Sequence, residues 1–216
     1  METKRKSDKK FKNFMKKFWN IVWKDNSVKG WIISIIFIVL VLELIFFPVL
    51  KLTLGTKIPL VIVESCSMYH QGGPFSQFDN WWEGHDMKYF IMKISKNVWQ
   101  TFPLKNGFNK GDIIFVRGEK PNKIKVGDVI IFKTNYPSPI IHRVIKIKKV
   151  NGTYIFQTMG DNNNGQLDIE KTIYQNQILG VAKADIIPYL GWIKLIFFDH
   201  LNPVEERGLC SQTPSK

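Results

Sequence analysis

The longest run of apolar residues in the chain predicts a helix that crosses a membrane. Residues 31–50 are apolar apart from Ser34, Glu43 and Pro48. At ~1.5 Å per residue a helix of this length rises about 30 Å, which matches the hydrocarbon core of a bilayer. The run is long for a signal peptide, and no small-residue cleavage site follows it. We therefore predict a transmembrane helix over residues 30–50.

The segment before this run alternates apolar and basic residues at helical spacing. Five apolar positions follow the period of a helix, namely Phe11, Phe14, Met15, Phe18 and Val22. Residues 1–29 hold ten Lys or Arg and three acids, about +7 of the formal net charge of +13. This pattern indicates either a basic helix on an anionic bilayer surface or a solvated basic tail. The lysine excess predicts a cytoplasmic N-terminus and an exported C-terminal domain.

Apolar runs separated by turn residues predict a mostly β domain over residues 57–198. Gly111-Asp112 opens one β-branched run, and Gly127-Asp128 opens a similar run sixteen residues later. Residues 140–147 form a third run, whose later part alternates apolar and basic residues. Asn151-Gly152 is a strong hairpin signal, and residues 178–187 form a further strand. Polar residues 199–216 are expected to be a tail.

The segment between residues 69 and 109 has no strand periodicity and is rich in aromatic residues. These aromatics lie either at the headgroup level of a membrane or in a packed cap. The segment also contains His70, His85 and Asp86, but their spacing matches no metal site. The two cysteines, Cys66 and Cys210, cannot build a disulfide framework and lack metal-ligand spacing. We expect no metal and no cofactor.

A candidate nucleophile lies where the first strand ends in a turn of small residues, Ser65-Cys66-Ser67. A rigid strand followed by a turn fixes and exposes a side chain. A serine hydroxyl needs a base within hydrogen-bond reach, and His142 alone among the four histidines lies in a strongly predicted strand. Asp161 or Asp168 would orient its imidazole.

Several motifs in this order resemble type I signal peptidases of the archaeal and endoplasmic-reticulum branch. They are Ser65-Cys66-Ser67-Met68, the two Gly-Asp strands, Ile141-His142-Arg143-Val144, Gly160-Asp161-Asn162-Asn163 with Asp168, and Ile187-Pro188-Tyr189-Leu190-Gly191-Trp192. The resemblance covers the membrane anchor and most of residues 57–198. It implies a small signal-peptidase-like β domain preceded by one N-terminal transmembrane helix.

The resemblance also implies a role for each matching residue. Ser67 matches the nucleophile and His142 the general base, where the bacterial branch uses a lysine. Asp168 matches the acid that supports the base, and Asp161 shares or scaffolds that role. Ser65 and Met68 flank the nucleophile at the oxyanion or substrate-binding site, where the backbone N–H of Ser67 is the more generic donor.

Three departures from the family pattern alter this interpretation. Cys66 replaces a usual glycine, Tyr69-His70 replaces an acid and a proline, and residues 69–109 form an insertion of about forty residues where the family has a few. Cys66 opens an alternative, a Cys66–His142 peptidase. Consecutive strand residues face opposite sides, so His142 should reach Ser67 or Cys66 but not both. The family match favours Ser67.

The sequence thus predicts a membrane-anchored serine endopeptidase that cleaves signal peptides from exported preproteins. Its expected partners are those preproteins, the lipid bilayer and possible membrane subunits. Nucleic acid is excluded because the basic charge is concentrated before the membrane run and no binding motif is present. The expected location is the cell membrane, or the endoplasmic-reticulum membrane. A non-catalytic subunit that binds exported chains is the alternative, and the need for Ser67 separates the two.

Overall fold

The structure, a computed structural model, describes residues 2–71 and 78–210. The chain divides into two units, Met1–Thr53 and Leu54–Lys216. The first unit is helical, and the second contains the sheet and every candidate site residue predicted from the sequence.

Helix α1 spans Glu2–Lys24, and helix α2 spans Val28–Val41. A π-helical segment, Leu42–Phe46, and helix α3, Phe47–Leu54, continue α2. Together they make a helix of 27 residues that is long and apolar enough to cross a membrane. The predicted transmembrane helix is therefore confirmed in length and composition.

The link between α1 and α2 is fixed by small polar side chains. Ser27 caps α2, since its hydroxyl accepts a hydrogen bond from Gly30 N at 3.1 Å. The hydroxyl of Ser34 donates to Val22 O in α1 at 2.7 Å. The predicted helix over Phe11–Trp23 lies within α1, where Phe14 and Trp23 are exposed. Its position on a bilayer surface stays a prediction.

The second unit is built on one sheet of seven antiparallel strands, in the order β1-β2-β7-β3-β4-β5-β6. The strands are β1 Leu60–Ile62, β2 Ile113–Arg117, β3 Val129–Phe132, β4 Ile140–Val150, β5 Thr153–Met159, β6 Ile173–Tyr174 and β7 Ile178–Ile187. The prediction of a β domain preceded by one apolar helix is confirmed.

The β4–β5 hairpin shows how local sequence sets this sheet. Asn151 and Gly152 both have positive φ, 48° and 82°, as a two-residue hairpin turn of the primed type requires. The turn places Val150 opposite Thr153 and so fixes the register of the long β4–β5 ladder. That ladder leads back to His142 at the other end of β4.

The described part of the insertion after β1 forms three short helices, α4 Phe78–Glu83, α5 Asp86–Ile91 and α6 Lys96–Gln100. Their buried side chains form one aromatic cluster with β5, made by Trp81, Trp82, Tyr89, Ile94, Trp99 and Met159. The segment is therefore a packed cap for these residues, whereas Phe90 is exposed.

The C-terminal part has more structure than the expected polar tail. Strand β7 ends at Ile187, and helix α7 follows as Trp192–Phe198. Two 3-10 turns, Asp199–Leu201 and Val204–Glu206, come next. Cys210 then forms a disulfide with Cys66, 144 residues earlier in the chain. The described part of this segment is consequently bonded to the β domain.

Candidate active site

The end of β1 and the turn after it position Ser67. Val63 continues the pairing beyond β1, because its N–H donates to Asp112 O at 2.9 Å and its carbonyl accepts from Gly111 N at 2.8 Å. The chain then turns, and Tyr69 N donates to Cys66 O at 3.1 Å. Met68 is buried in the core just after the turn. Ser67 is therefore held half-buried between a strand and a core anchor.

Strand β4 brings His142 to this turn. His142 lies opposite Ile130 of β3 and is buried. Its Nε2 lies 2.9 Å from Ser67 Oγ, a hydrogen-bond distance. The structure thus joins the two residues that the sequence pairs as nucleophile and base.

The acid at the other imidazole nitrogen is Glu170. Glu170 Oε1 is hydrogen-bonded to His142 Nδ1 and accepts from Thr158 Oγ1 at 3.0 Å. Its second oxygen accepts from Leu167 N at 2.8 Å. A carboxylate on Nδ1 holds the tautomer in which Nε2 can accept the serine proton. Sequence reasoning missed this residue.

The expectation that Asp168 supports the base is corrected by its position. Asp168 forms an ion pair with Lys171 at 2.6 Å, and its side chain is 94% exposed. Lys171 lowers the pKa of this exposed carboxyl. Asp168 and Glu170 are two residues apart in one 3-10 turn of three residues, so they point in different directions. The turn directs Glu170 inward and Asp168 into solvent.

Asp161 is fully buried, but its carboxylate bonds Arg143 and His70 and not His142. Arg143 approaches it with Nη2 at 2.7 Å and Nε at 2.9 Å, and His70 Nε2 lies at 3.0 Å. Burial by itself raises the pKa of Asp161, yet Arg143 and His70 offset this and hold the pKa well below its usual range. Asp161 is therefore an anionic anchor in the described structure.

The turn that contains Asp161 is hydrogen-bonded to the backbone of the nucleophile turn. Asn162 N donates to Ser67 O at 2.8 Å, and the Asn162 side chain donates to Cys66 O at 3.1 Å. A Cβ at Gly160 would lie 2.8 Å from Ser67 O, closer than such atoms approach. The Gly160–Asn163 turn thus fixes the backbone on which the Ser67 hydroxyl is mounted.

The insertion holds this turn in place. Lys88 of α5 donates from Nζ to Asp161 O at 2.6 Å and to Asn163 O at 2.7 Å. Burial lowers the pKa of Lys88 to about 8, although Asp161 acts in the opposite sense. His70 stacks on Trp81 with ring centroids 3.6 Å apart. The cap and the turn beside the nucleophile are therefore one packed assembly.

Cys66 has no free thiol, because it is bonded to Cys210. The alternative of a Cys66–His142 peptidase is therefore wrong for this structure. This bond between the two cysteines was not predicted from the sequence. Ser65 Oγ lies 3.1 Å from Ser67 Oγ, where either hydroxyl can donate.

Among the described residues, no group of three or more potential metal ligands occurs.

A groove of about 730 Å³ opens beside Ser67 and His142. One side is β1, an edge strand that pairs only with β2 in the described sheet. Another side is the start of β4, where Ile140–His142 pair with β3 while the β5 pairing begins at Arg143. Two strand edges thus border the groove, an arrangement suited to an extended peptide. A hydroxyl activated by an imidazole and a carboxylate is chemically suited to acyl transfer.

No family model matches this chain. Its relatives include signal peptidase complex catalytic subunit SEC11C of Homo sapiens, 31% identical over 106 residues, which are 45% of this chain and 54% of that protein. SEC11 of Candida tropicalis is 30% identical over 105 residues, 45% of this chain and 62% of the relative. SEC11 of Lachancea thermotolerans is 34% identical over 101 residues, 43% and 59% respectively.

The chain spans about half the length of the curated relatives it matches. These homologues are signal peptidase catalytic subunits by name, and the resemblance drawn from the motifs around Ser67 and His142 is confirmed.

Proposed function

We propose that this protein is a membrane-anchored serine endopeptidase that removes signal peptides from exported preproteins. One observation carries the proposal, the continuous contact from Ser67 Oγ through His142 to the buried carboxylate of Glu170. The names of the homologous catalytic subunits support the same reaction.

The geometry supports a two-step acyl transfer. Ser67 Oγ attacks the scissile carbonyl while its proton passes to His142 Nε2. Glu170 stabilises the imidazolium that forms, and His142 then protonates the departing amine. Water, activated by the same imidazole, hydrolyses the acyl-enzyme and regenerates Ser67. Asp161 acts through the turn that holds Ser67 and is a positioning residue, while Asp168 has no part in these steps.

Ser65 and Met68 act on either side of the nucleophile. The negative oxygen of the tetrahedral intermediate accepts hydrogen bonds from the Ser67 N–H and from the Ser65 hydroxyl. The Ser65 hydroxyl lies beside Ser67 Oγ. Met68 fixes the turn from the core, since its sulfur accepts from Asp161 N at 3.4 Å. Met68 also lies at the groove wall, where it supports the substrate-binding surface from the core.

The substrate binds as an extended strand in the groove. Backbone pairing to the edges of β1 or β4 supplies affinity without reading side chains. The groove walls include apolar residues such as Leu60, Ile62 and Ile140. Small apolar side chains near the cut site fit shallow pockets of this kind, as the resemblance to signal peptidases implies.

The transmembrane helix tethers the peptidase to the bilayer, with the N-terminus cytoplasmic and the β domain on the opposite side. The excess of lysines before the helix favours this orientation. The Cys66–Cys210 disulfide agrees with it, because disulfides persist in oxidising compartments. The relatives are named as subunits of a complex, so we include partner subunits among the proposed interactions.

The test is cleavage of a preprotein by the full-length protein in liposomes, comparing wild type with Ser67→Ala. We expect wild type to cut at the signal-peptide junction and Ser67→Ala to lose about 10⁴-fold or more in rate. Ser65→Ala is the matched control in the same turn, and it should keep measurable cleavage. Equal cleavage by wild type and Ser67→Ala would contradict the proposal, and peptide binding without any cleavage would favour the binding-only alternative.

A further inference from the structure

The segment of residues 199–210, here named the C-terminal strap, is fastened to the β domain at a buried lysine. Lys110 is fully buried, and its Nζ donates to Asp199 Oδ1 and to Glu206 O, each at 2.5 Å. The other Asp199 oxygen accepts from Gly208 N at 2.7 Å. One charge pair therefore organises the strap along most of its length.

The second fastening point is the nucleophile turn itself. Cys210 at the far end of the strap is bonded to Cys66, the residue between Ser65 and Ser67. The Cys66 carbonyl is held by the Asn162 side chain at the same time. The strap is thus joined covalently to the residue next to Ser67.

The strap also forms part of the groove wall. Asn202 and Glu206 line the same groove as Ser67 and His142. Lys194 of α7 lines it too, but its charge is paired with Glu64 at 3.1 Å. Among the residues whose side chains the structure describes, the carboxylate of Glu206 forms no ion pair. Glu206 therefore brings an uncompensated negative charge to the groove.

We propose that the disulfide-fastened strap is a specificity element of the peptide groove, in which Glu206 favours substrates with a basic side chain at the position facing it. The inference rests on the proposed function for the identity of the groove as a peptide site. An unpaired carboxylate attracts a cationic side chain and repels an anionic one across partly exposed surface. The disulfide keeps that charge in place because it anchors the strap four residues beyond Glu206.

Binding on an inactive background tests the strap independently of cleavage. Full-length Ser67→Ala in detergent is titrated with fluorescent signal-peptide segments in which each position in turn carries Lys or Glu. At one position we expect the Lys peptide to bind about three- to fivefold more tightly than the Glu peptide, as for an exposed charge pair. Glu206→Gln should bring this ratio close to one, and Glu206→Lys should invert it.

A charge reversal outside the groove is the matched control. Glu83 is exposed at the end of α4, and Glu83→Lys should leave the Lys-to-Glu ratio unchanged. The proposal would be overturned if no Glu206 variant changed the Lys-to-Glu affinity ratio at any position of the peptide. Because the ratio compares two peptides on one protein, a partly unfolded variant lowers both signals and leaves the ratio interpretable.

The role of the disulfide is tested by the double variant Cys66→Ser/Cys210→Ser. We expect the effect of Glu206→Lys on the ratio to fall by at least half in this background. A dithiol reduces the bond by giving it two electrons and two protons and becomes a disulfide itself. In the protein that keeps both cysteines, this reduction should likewise weaken the effect of Glu206→Lys on the Lys-to-Glu ratio. In the double variant the dithiol should change nothing. An unchanged Glu206→Lys effect in both cases would remove the disulfide from the proposal. Loss of cleavage by Ser67→Ala reports separately on the proposed function.

Discussion

Among the described residues of the β domain, two histidines are bonded to buried carboxylates, and their surroundings separate the proposed catalytic pair from a supporting one. His142 contacts Glu170 through Nδ1 and the Ser67 hydroxyl through Nε2. His70 contacts Asp161 through Nε2, but its Nδ1 has no hydrogen-bond partner in the described structure. The first imidazole can pass a proton to and from a reacting group, whereas the second has no group to exchange it with.

The two carboxylates, Asp161 and Glu170, also have different charged neighbours. Asp161 forms an ion pair with the permanently charged Arg143 in addition to its hydrogen bond with His70. Glu170 accepts a hydrogen bond from the neutral Thr158 hydroxyl and is hydrogen-bonded to His142 Nδ1, and no permanent cation pairs with it among the described residues. Burial lowers the pKa of His70 to about 4, which keeps it neutral near pH 7. A histidine beside a buried acid therefore forms the proposed proton relay at one place and a packed support at the other.

The largest expected effect comes from breaking the proposed catalytic pair. Glu170→Gln should leave the fold intact and lower kcat by about 10³- to 10⁴-fold, because the tautomer and the imidazolium lose their carboxylate. Steady-state cleavage of a preprotein measures this. Asp168→Asn is the matched control and should change kcat by less than about twofold. The opposite ranking of the two variants would restore Asp168 as the supporting acid.

Breaking the support pair should act on stability first. Asp161→Ala leaves the buried Arg143 charge without its partner, a change that costs about 3–5 kcal/mol in unfolding free energy. Urea unfolding of the variant against wild type measures it. Asp79→Ala, which removes an exposed acid paired with Lys96, serves as control and should cost less than about 1 kcal/mol. Equal losses in the two variants would show that Asp161 is not an anchor.

His70 predicts a stability change with pH. Its folded pKa of about 4 lies below the unfolded value of about 6.5, so the unfolded chain binds more protons between these values. Stability is fully present above the unfolded pKa and falls by about 2–3 kcal/mol as pH drops from about 6.5 to 4. Urea unfolding across this range should show the loss, and His70→Gln should flatten it. A slope unchanged in His70→Gln would assign it to other groups.

The smallest effect concerns the link between the cap and the nucleophile. Lys88→Met removes two hydrogen bonds to the turn that carries Asp161 and Asn163, so kcat should fall about tenfold with little change in KM. Lys88→Arg should recover part of the rate. Lys105→Met, at an exposed lysine of the same insertion, is the control and should match wild type. A rise in KM alone would instead place Lys88 in substrate binding.

Ser67 and His142 could be predicted because short local motifs mark them. A strand, a small-residue turn and a second strand are visible in the sequence, and the antiparallel sheet brings them together. Glu170 could not be read in this way, because the choice between it and Asp168 depends on the rotation of one 3-10 turn. A signal was present, since an acid two residues after Asp168 would face the other side of such a turn.

The disulfide and the support network depend on contacts between distant parts of the chain. Nothing in the local sequence relates Cys66 to Cys210, and the cysteine count alone excluded a disulfide framework without indicating this single bond. The aromatic insertion gave no strand pattern, so its short helices and the contact from Lys88 to Asp161 were equally hidden. Elements with a strong period were therefore predictable, and long-range pairings were not.

The bond between Cys66 and Cys210 can form only after both cysteines have been synthesised. A ribosome adding about 5–20 residues per second needs about 7–30 s to pass from the first cysteine to the second. During that interval the turn with Ser67 and Cys66 has been synthesised, but Cys210 has not. The turn that carries Ser67 is therefore made well before Cys210, and the bond that fastens this turn to the C-terminal strap closes only after the 144 residues that follow Cys66 have been synthesised.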